Sequence, residues 1–194
     1  MSGPRSARDL VTAHTGTGAG AARGAGEGAA LGGATLPRGA RLGVDVGKAR
    51  IGLAASDPDG LIATPVETVA RVLDATGTDS ADVRAIAEAV GERFAAVVYV
   101  GLPRHLSGKE GAATADARAF ATRLALAVAP VPVRMVDERM STVTATSQLR
   151  AAGKKSKSHR PVIDQAAAVI ILQSALDAER AAGTRAGEAV ETAP

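Results

Sequence analysis

The sequence predicts an α/β protein built on a five-stranded mixed sheet with helices on both faces, and three observations carry that expectation. Three short aliphatic runs follow one another between residues 41 and 70, close enough to form an antiparallel meander. Beyond them helix-like and strand-like periods alternate, the pattern of βα units with parallel strands. Ala95–Val100 (AAVVYV) is a continuous apolar run, as a central strand covered on both faces requires.

Arg41–Val46 (RLGVDV) and Ile51–Ser56 (IGLAAS) are separated by Gly47, Lys48, Ala49 and Arg50, which reads as a hairpin with a four-residue loop. Ala63–Ala70 (ATPVETVA) is the third strand, and Pro65 places it at an edge or a strand start. Asp79 or Ser80 caps the first helix, with Val83, Ile86, Ala87, Val90 and Phe94 on one face. A second helix follows Gly111, with Ala113, Ala117, Phe120, Leu124 and Val128 as its stripe. Val133–Val136 is a short strand, and Ser141 or Thr142 starts a third helix that runs to about Ala152. Gly153–Pro161 is a polar loop, with Pro161 at the first position of a fourth helix that continues to about Arg180.

At 194 residues the chain has the length of one domain, and 46% apolar residues give it a core. Aromatics are only 2% (Phe94, Tyr99 and Phe120), so aliphatics fill that core, and the scarcity argues against a nucleic-acid reader built on stacking rings. The absence of cysteine excludes disulfides, thiolate zinc sites and cysteine catalysis. No apolar run reaches the roughly 18 residues of a membrane span, and no apolar leader opens the chain. A soluble, cytoplasmic protein with no membrane partner is expected. Residues 1–40, rich in Gly, Ala and Thr, bury too little to offset their ordering entropy and are expected to be disordered. The working domain is then 41–182, followed by a flexible tail over 183–194. The net charge is +3, of which residues 1–40 supply +2, so affinity for a polyanion has to come from local clusters.

Three acids stand out. Asp45, in Gly43-Val44-Asp45-Val46-Gly47, ends an aliphatic strand between glycines that let a bulky ligand approach; a turn-capping role is the alternative. Glu138, in Asp137-Glu138-Arg139, follows a strand at the end where α/β sheets place ligands; a solvated charge cluster is the alternative. Asp164 opens a helix that is apolar almost all round, where the helix dipole alone would favour it by about 0.3–1 kcal/mol. If the three converge, two like charges about 4 Å apart repel by roughly 4 kcal/mol at an effective dielectric of 20. Protons or a divalent cation must then neutralise them, and oxygen-only ligands favour Mg²⁺ or Mn²⁺. A cation between such acids and a phosphodiester would activate water and stabilise the leaving oxygen.

Basic groups cluster nearby in sequence. Lys154, Lys155, Lys157, His159 and Arg160 crowd the loop that leads into Asp164, with no acid among them. They suit a phosphate clamp, the alternative being an ordinary solvated loop. Arg104 and His105 follow a strand end and are weaker candidates for the same contact, and Lys48 lies in the loop after Asp45. With so few rings, recognition would depend on phosphate charge and nucleic-acid shape. Oligomeric state leaves no trace in the sequence, and a homodimer is compatible with it.

Four ordered stretches, RLGVDVGKARIGLAASDPDG, VGLPRHLSGKEG, VDERMST and IDQAAAVIILQSALD, together resemble the successive motifs of the YqgF family across about residues 41–180. That resemblance implies a ribonuclease-H-like fold and metal-dependent endonucleolytic hydrolysis at the 5′ end of precursor 16S rRNA, in the cytoplasm. It also implies that Asp45, Glu138 and Asp164 are the metal-binding acids. Met140 stands where the family more often has leucine, a swap of similar volume. A nuclease acting on DNA four-way junctions is the closer rival, because the acids would serve either sugar. A non-catalytic RNA-binding assembly factor is another. GVDVGKARIG also resembles the phosphate hairpin of actin- and sugar-kinase-like ATPases, but those need two such domains, and the chain lacks a GxxxxGK[ST] loop.

Overall fold

Alternating Leu42 and Val44 on one side of a strand, and Gly43 and Asp45 on the other, set the layout of the whole domain. In the computed structural model, which describes residues 36–104, 110–138 and 160–192 (backbone only for 160–164), β1 (Arg41–Val46) pairs antiparallel with β2 (Arg50–Ser56). β2 pairs antiparallel with β3 (Ala63–Ala70), and a register shift at Leu53/Ala54 falls opposite Pro65, which cannot donate to the ladder. β4 (Val97–Leu102) joins β1 in parallel, and β5 (Val133–Asp137) joins β4 in parallel. Between them run α1 (Ala81–Glu92) and α2 (Ala112–Val128); α3 (Arg160–Ala182) follows β5. The described residues all belong to the unit Gly33–Pro194. None of their helices is long and apolar enough to cross a membrane.

Two cores result, one on each face. Leu42, Val44, Ile51, Leu53, Val98 and Val100 meet Val83 and Ile86 of α1 and Phe120 and Leu124 of α2. Val97, Tyr99 and Val136 meet Ala168, Ile171 and Leu172 of α3. Each large aliphatic fully removed from water contributes about 1.5–3 kcal/mol, which is how so aromatic-poor a chain holds together. The mixed sheet covered on both faces is the predicted architecture.

Two expectations are corrected. The sheet has six strands, in the order β3-β2-β1-β4-β5-β6, because Glu188–Ala189 forms β6 and pairs antiparallel with β5. This stretch falls in the segment read as a flexible tail. It is held by polar contacts that carry no apolar periodicity: Arg118 donates to both Glu188 carboxylate oxygens at 3.0 and 3.2 Å, and Val190 N–H donates to Val133 O at 2.9 Å. The second correction is Phe94, assigned to the buried stripe of α1. The helix ends before it, its φ is +47°, and the turn into β4 leaves the ring 85% exposed. Most of the expected N-terminal extension (residues 1–35) and the expected helix over 141–152 lie outside the described residues.

Candidate active site at the carboxyl ends of the central strands

Strand alternation decides which acids share a face. Side chains two residues apart on a strand point the same way. At Gly43 an added Cβ would stand 2.6 Å from Leu172 Cβ and 2.9 Å from Ala168 O, so this side of β1 faces α3 at close range. Asp45, two residues on, belongs to the same face and is half-buried. On β4 the α3 face carries Val97, Tyr99 and Gly101; on β5 it carries Val136, and Glu138 continues the alternation just past the strand.

Gly101 is the centre of this edge. A Cβ there would lie 2.7 Å from Glu138 Oε1 and 2.6 Å from Ile171 Cδ1. The Glu138 carboxylate therefore leans back across β4, over ground that any other residue at 101 would occupy. The β1–β4 pairing, Val44 opposite Val100, puts Asp45 and Gly101 next in register. β1 and β5 thus bring Asp45 and Glu138 to the same end of β4, on either side of Gly101.

The direction of α3 fixes where Asp164 enters. Glu179 contacts Arg41 at the start of β1 and Tyr99 on β4, whereas Leu172 and Ala168 contact Gly43, so α3 runs antiparallel to both strands. Its N-terminal end lies towards the strands' carboxyl ends. Asp164 is one turn before Ala168, a step of about 6 Å along a helix. Gly43 to Asp45 is a step of about 6.7 Å along a strand. The Asp164 backbone position thus belongs to the end of α3 nearer Asp45 and Glu138; its side chain lies outside the described residues.

The predicted basic groups divide. Arg104 lies just past β4, with ion-pair distances of 3.8 Å to Asp137 Oδ2 and 3.5 Å to Glu110 Oε1. Its buried Nε meets no hydrogen-bond acceptor among the described residues. Glu110 is itself held by Arg118, which donates at 2.8 Å and holds that carboxyl below the usual carboxylate range. Lys48 is exposed at the β1–β2 turn. Lys154, Lys155, Lys157, His105 and His159, and the side chain of Arg160, lie outside the described residues.

Sequence reading passed over two contributors. Gly101 stands within the VGLPRHLSGKEG motif, and a glycine interrupting the apolar run VVYV-L is the available signal. The other is the buried carboxylate of Glu179, 4% exposed, bound by Tyr99 Oη, by Arg41 Nε at 3.2 Å and by Arg185 at 2.7 Å. Burial pushes the Tyr99 phenol up, and hydrogen bonding to Glu179 adds to the shift. Nothing in the sequence period marks that set, since its members are 138 and 80 residues apart.

A family model described as RuvX: Holliday junction resolvase matches residues 39–178. A protein of Streptomyces coelicolor is 57% identical over 160 residues, covering 82% of this chain and 92% of its own length. A protein of Clavibacter michiganensis is 60% identical over 152 residues, covering 78% and 91%. Both bear a provisional name as a pre-16S rRNA nuclease. Among solved structures, T. thermophilus RuvC in complex with Holliday junction substrate is similar with a TM-score of 0.51 and 16% identity, over 75% of this chain and 98% of that one. At that identity the likeness speaks for the fold, which is ribonuclease-H-like as the motifs implied. This chain belongs to the RuvX family, the one to which its YqgF-like motifs pointed.

Proposed function

We propose that this protein is an endonuclease that hydrolyses phosphodiester bonds in precursor 16S rRNA, at the site formed by Asp45, Glu138 and Asp164. The observation that carries this reading is the Glu138 carboxylate lying over the Cβ-free Gly101 beside the end of β1. A glycine at 101 lets the Glu138 carboxylate close down on β4 beside the strand that carries Asp45, and that closeness supports a shared site for the two acids. The family and the names of the similar proteins support the reaction class, and those names favour RNA over branched DNA.

The donor set fits a hard cation. The three acids offer oxygen only, and the chain has no cysteine. Mg²⁺ or Mn²⁺ held there would supply the Lewis acidity that lowers the pKa of water and stabilises a leaving oxygen. Asp45 holds its oxygens from β1 and Glu138 from the residue just after β5, so two strands set the geometry before substrate arrives. Glu138 or Asp164 orients the attacking water. Arg104, with Lys154, Lys155, Lys157 and Arg160, holds the phosphates on either side of the scissile bond. The reaction takes place in the cytoplasm, where precursor rRNA is made.

The test compares the protein with Asp45→Asn on precursor 16S rRNA and on a four-way DNA junction, each with Mn²⁺ and with EDTA. The expected result is RNA cleavage that falls about a thousandfold in the variant, close to 4 kcal/mol of barrier, and stops with EDTA. Cleavage of the DNA junction alone moves the substrate to branched DNA. RNA cleavage that survives both treatments contradicts the assignment of the site.

A further inference from the structure

Asp45 sits near the tip of a hairpin whose own ladder is short beyond it. Its pair is Gly52, the next is Val46 with Ile51, and past these the turn is closed by a hydrogen bond from Gly47 N–H to Arg50 O at 3.0 Å. Such a tip opens readily unless something outside the hairpin holds it.

Arg71, the first residue after β3, reaches it twice. Its backbone N–H donates to Ala49 O at 3.1 Å, and its guanidinium Nη1 donates to Gly47 O at 3.1 Å. Both sides of the turn are therefore tied to one residue. The guanidinium is only 2% exposed and is itself fixed from the helix side of the sheet. Asp116 of α2 takes it in a two-pronged pair at 2.8 and 3.2 Å, Asp82 of α1 lies 3.7 Å from Nε, and the Phe120 ring lies 5.0 Å below it. Asp82 is anchored in turn by accepting from Val72 N–H at 3.0 Å. A planar fork spans the Gly47 carbonyl and the Asp116 carboxylate together; a lysine ammonium, a single point on a flexible stem, reaches one of them.

We propose that Arg71 is the positioning residue for the Asp45 hairpin, transmitting the rigidity of α1 and α2 to the tip that carries Asp45 and Lys48. A purely structural ion pair would lower stability and leave the tip as ordered as before. The positioning role makes the tip the first part to loosen. The activity arm of its test rests on the nuclease reading; the exchange arm does not.

The experiment measures amide hydrogen exchange at Gly47–Arg50 and steady-state cleavage for Arg71→Met, Arg71→Lys and Asp116→Asn. Leu124→Ala serves as a control, lowering global stability through a core cavity away from the tip. In Arg71→Met exchange at Gly47 is expected to rise about tenfold above that of the control. kcat is expected to fall about a hundredfold with KM little changed, because Asp45 is misplaced while phosphate contacts remain. Arg71→Lys should recover part of both. Asp116→Asn, whose carboxylate is 46% exposed and which tests the brace if Arg71→Met does not fold, should raise exchange by about threefold. Exchange at Gly47 that stays level with the control in the folded variants overturns the proposal, whether or not RNA is the substrate. Loosened exchange with no cleavage by any form, wild type included, upholds the brace and counts against the nuclease reading instead.

Discussion

Glu179 and Glu138 lie on the same face of one sheet, towards opposite ends of α3, and their surroundings differ in kind. Around Glu179 the chain supplies a phenol and two guanidinium groups, all within hydrogen-bonding distance of a carboxylate that is 4% exposed. Every oxygen is engaged, and the set ties α3 to β1 and β4. Glu138 instead packs over Gly101 with Ile171 Cδ1 alongside, at the strand end where Asp45 is next in register. A buried acid ringed by cations is a fastening. An acid packed over a glycine at the carboxyl ends of the strands, with a second acid on the neighbouring strand, is where the proposed cation would be held. The difference lies in the packing around each acid, a closed set of a phenol and two guanidinium groups at one end of α3 and a close-packed glycine at the other.

The comparison can be tested from both sides. Glu179→Ala should cost about 3 kcal/mol or more in urea unfolding, because it strands two guanidinium groups in a poorly solvated place. Cleavage per folded molecule should stay within about twofold of wild type, since the change is far from the strand ends. A large loss of kcat with unchanged stability would erase the distinction between the two ends. Gly101→Ala should do the reverse: its Cβ would collide with Glu138 Oε1 and Ile171 Cδ1. About a hundredfold loss in kcat is expected, near 2.7 kcal/mol, with a stability loss of about 1–3 kcal/mol from overpacking. Cleavage at the wild-type rate would show that the Glu138 geometry is not used.

A third acid sharpens the contrast at smaller scale. Asp82, on the opposite face, resembles Glu179 in being buried and fully partnered. Burial would push its carboxyl up, but hydrogen bonds from Ser80 and from the Val72 and Val83 amides, with the Arg123 charge, hold it below its ordinary 3.8. A lowered carboxyl contributes stability above the unfolded value that is lost as pH falls through the folded one. Unfolding free energy should therefore decline below about pH 4, and Asp82→Asn should remove about 1 kcal/mol at pH 7 and flatten that decline. An unchanged acid limb in the variant would mean that other carboxylates set it.

Much of this was readable before any coordinates. Pro65 announced the edge strand, the AAVVYV run the central one, and acids at strand ends the candidate site. Those features rest on local period and on the high cost of a carboxylate in an aliphatic strand, which a single segment displays. β6 was missed because two exposed residues, Glu188 and Ala189, have no period to read. Phe94 misled because it keeps helical spacing after the helix has ended. Gly101, Arg71 and Glu179 gain their meaning from partners far along the chain, and no spacing rule links them.

The central claim is that Asp45, Glu138 and Asp164 turn their oxygens to one shared cation, and an anomalous difference map from an Mn²⁺-soaked crystal tests it most directly. The expected result is a peak at coordination distance from carboxylate oxygens of all three residues, at the carboxyl ends of β1 and β4. A peak held elsewhere, or an Asp164 carboxylate turned to the far side of α3, would contradict it.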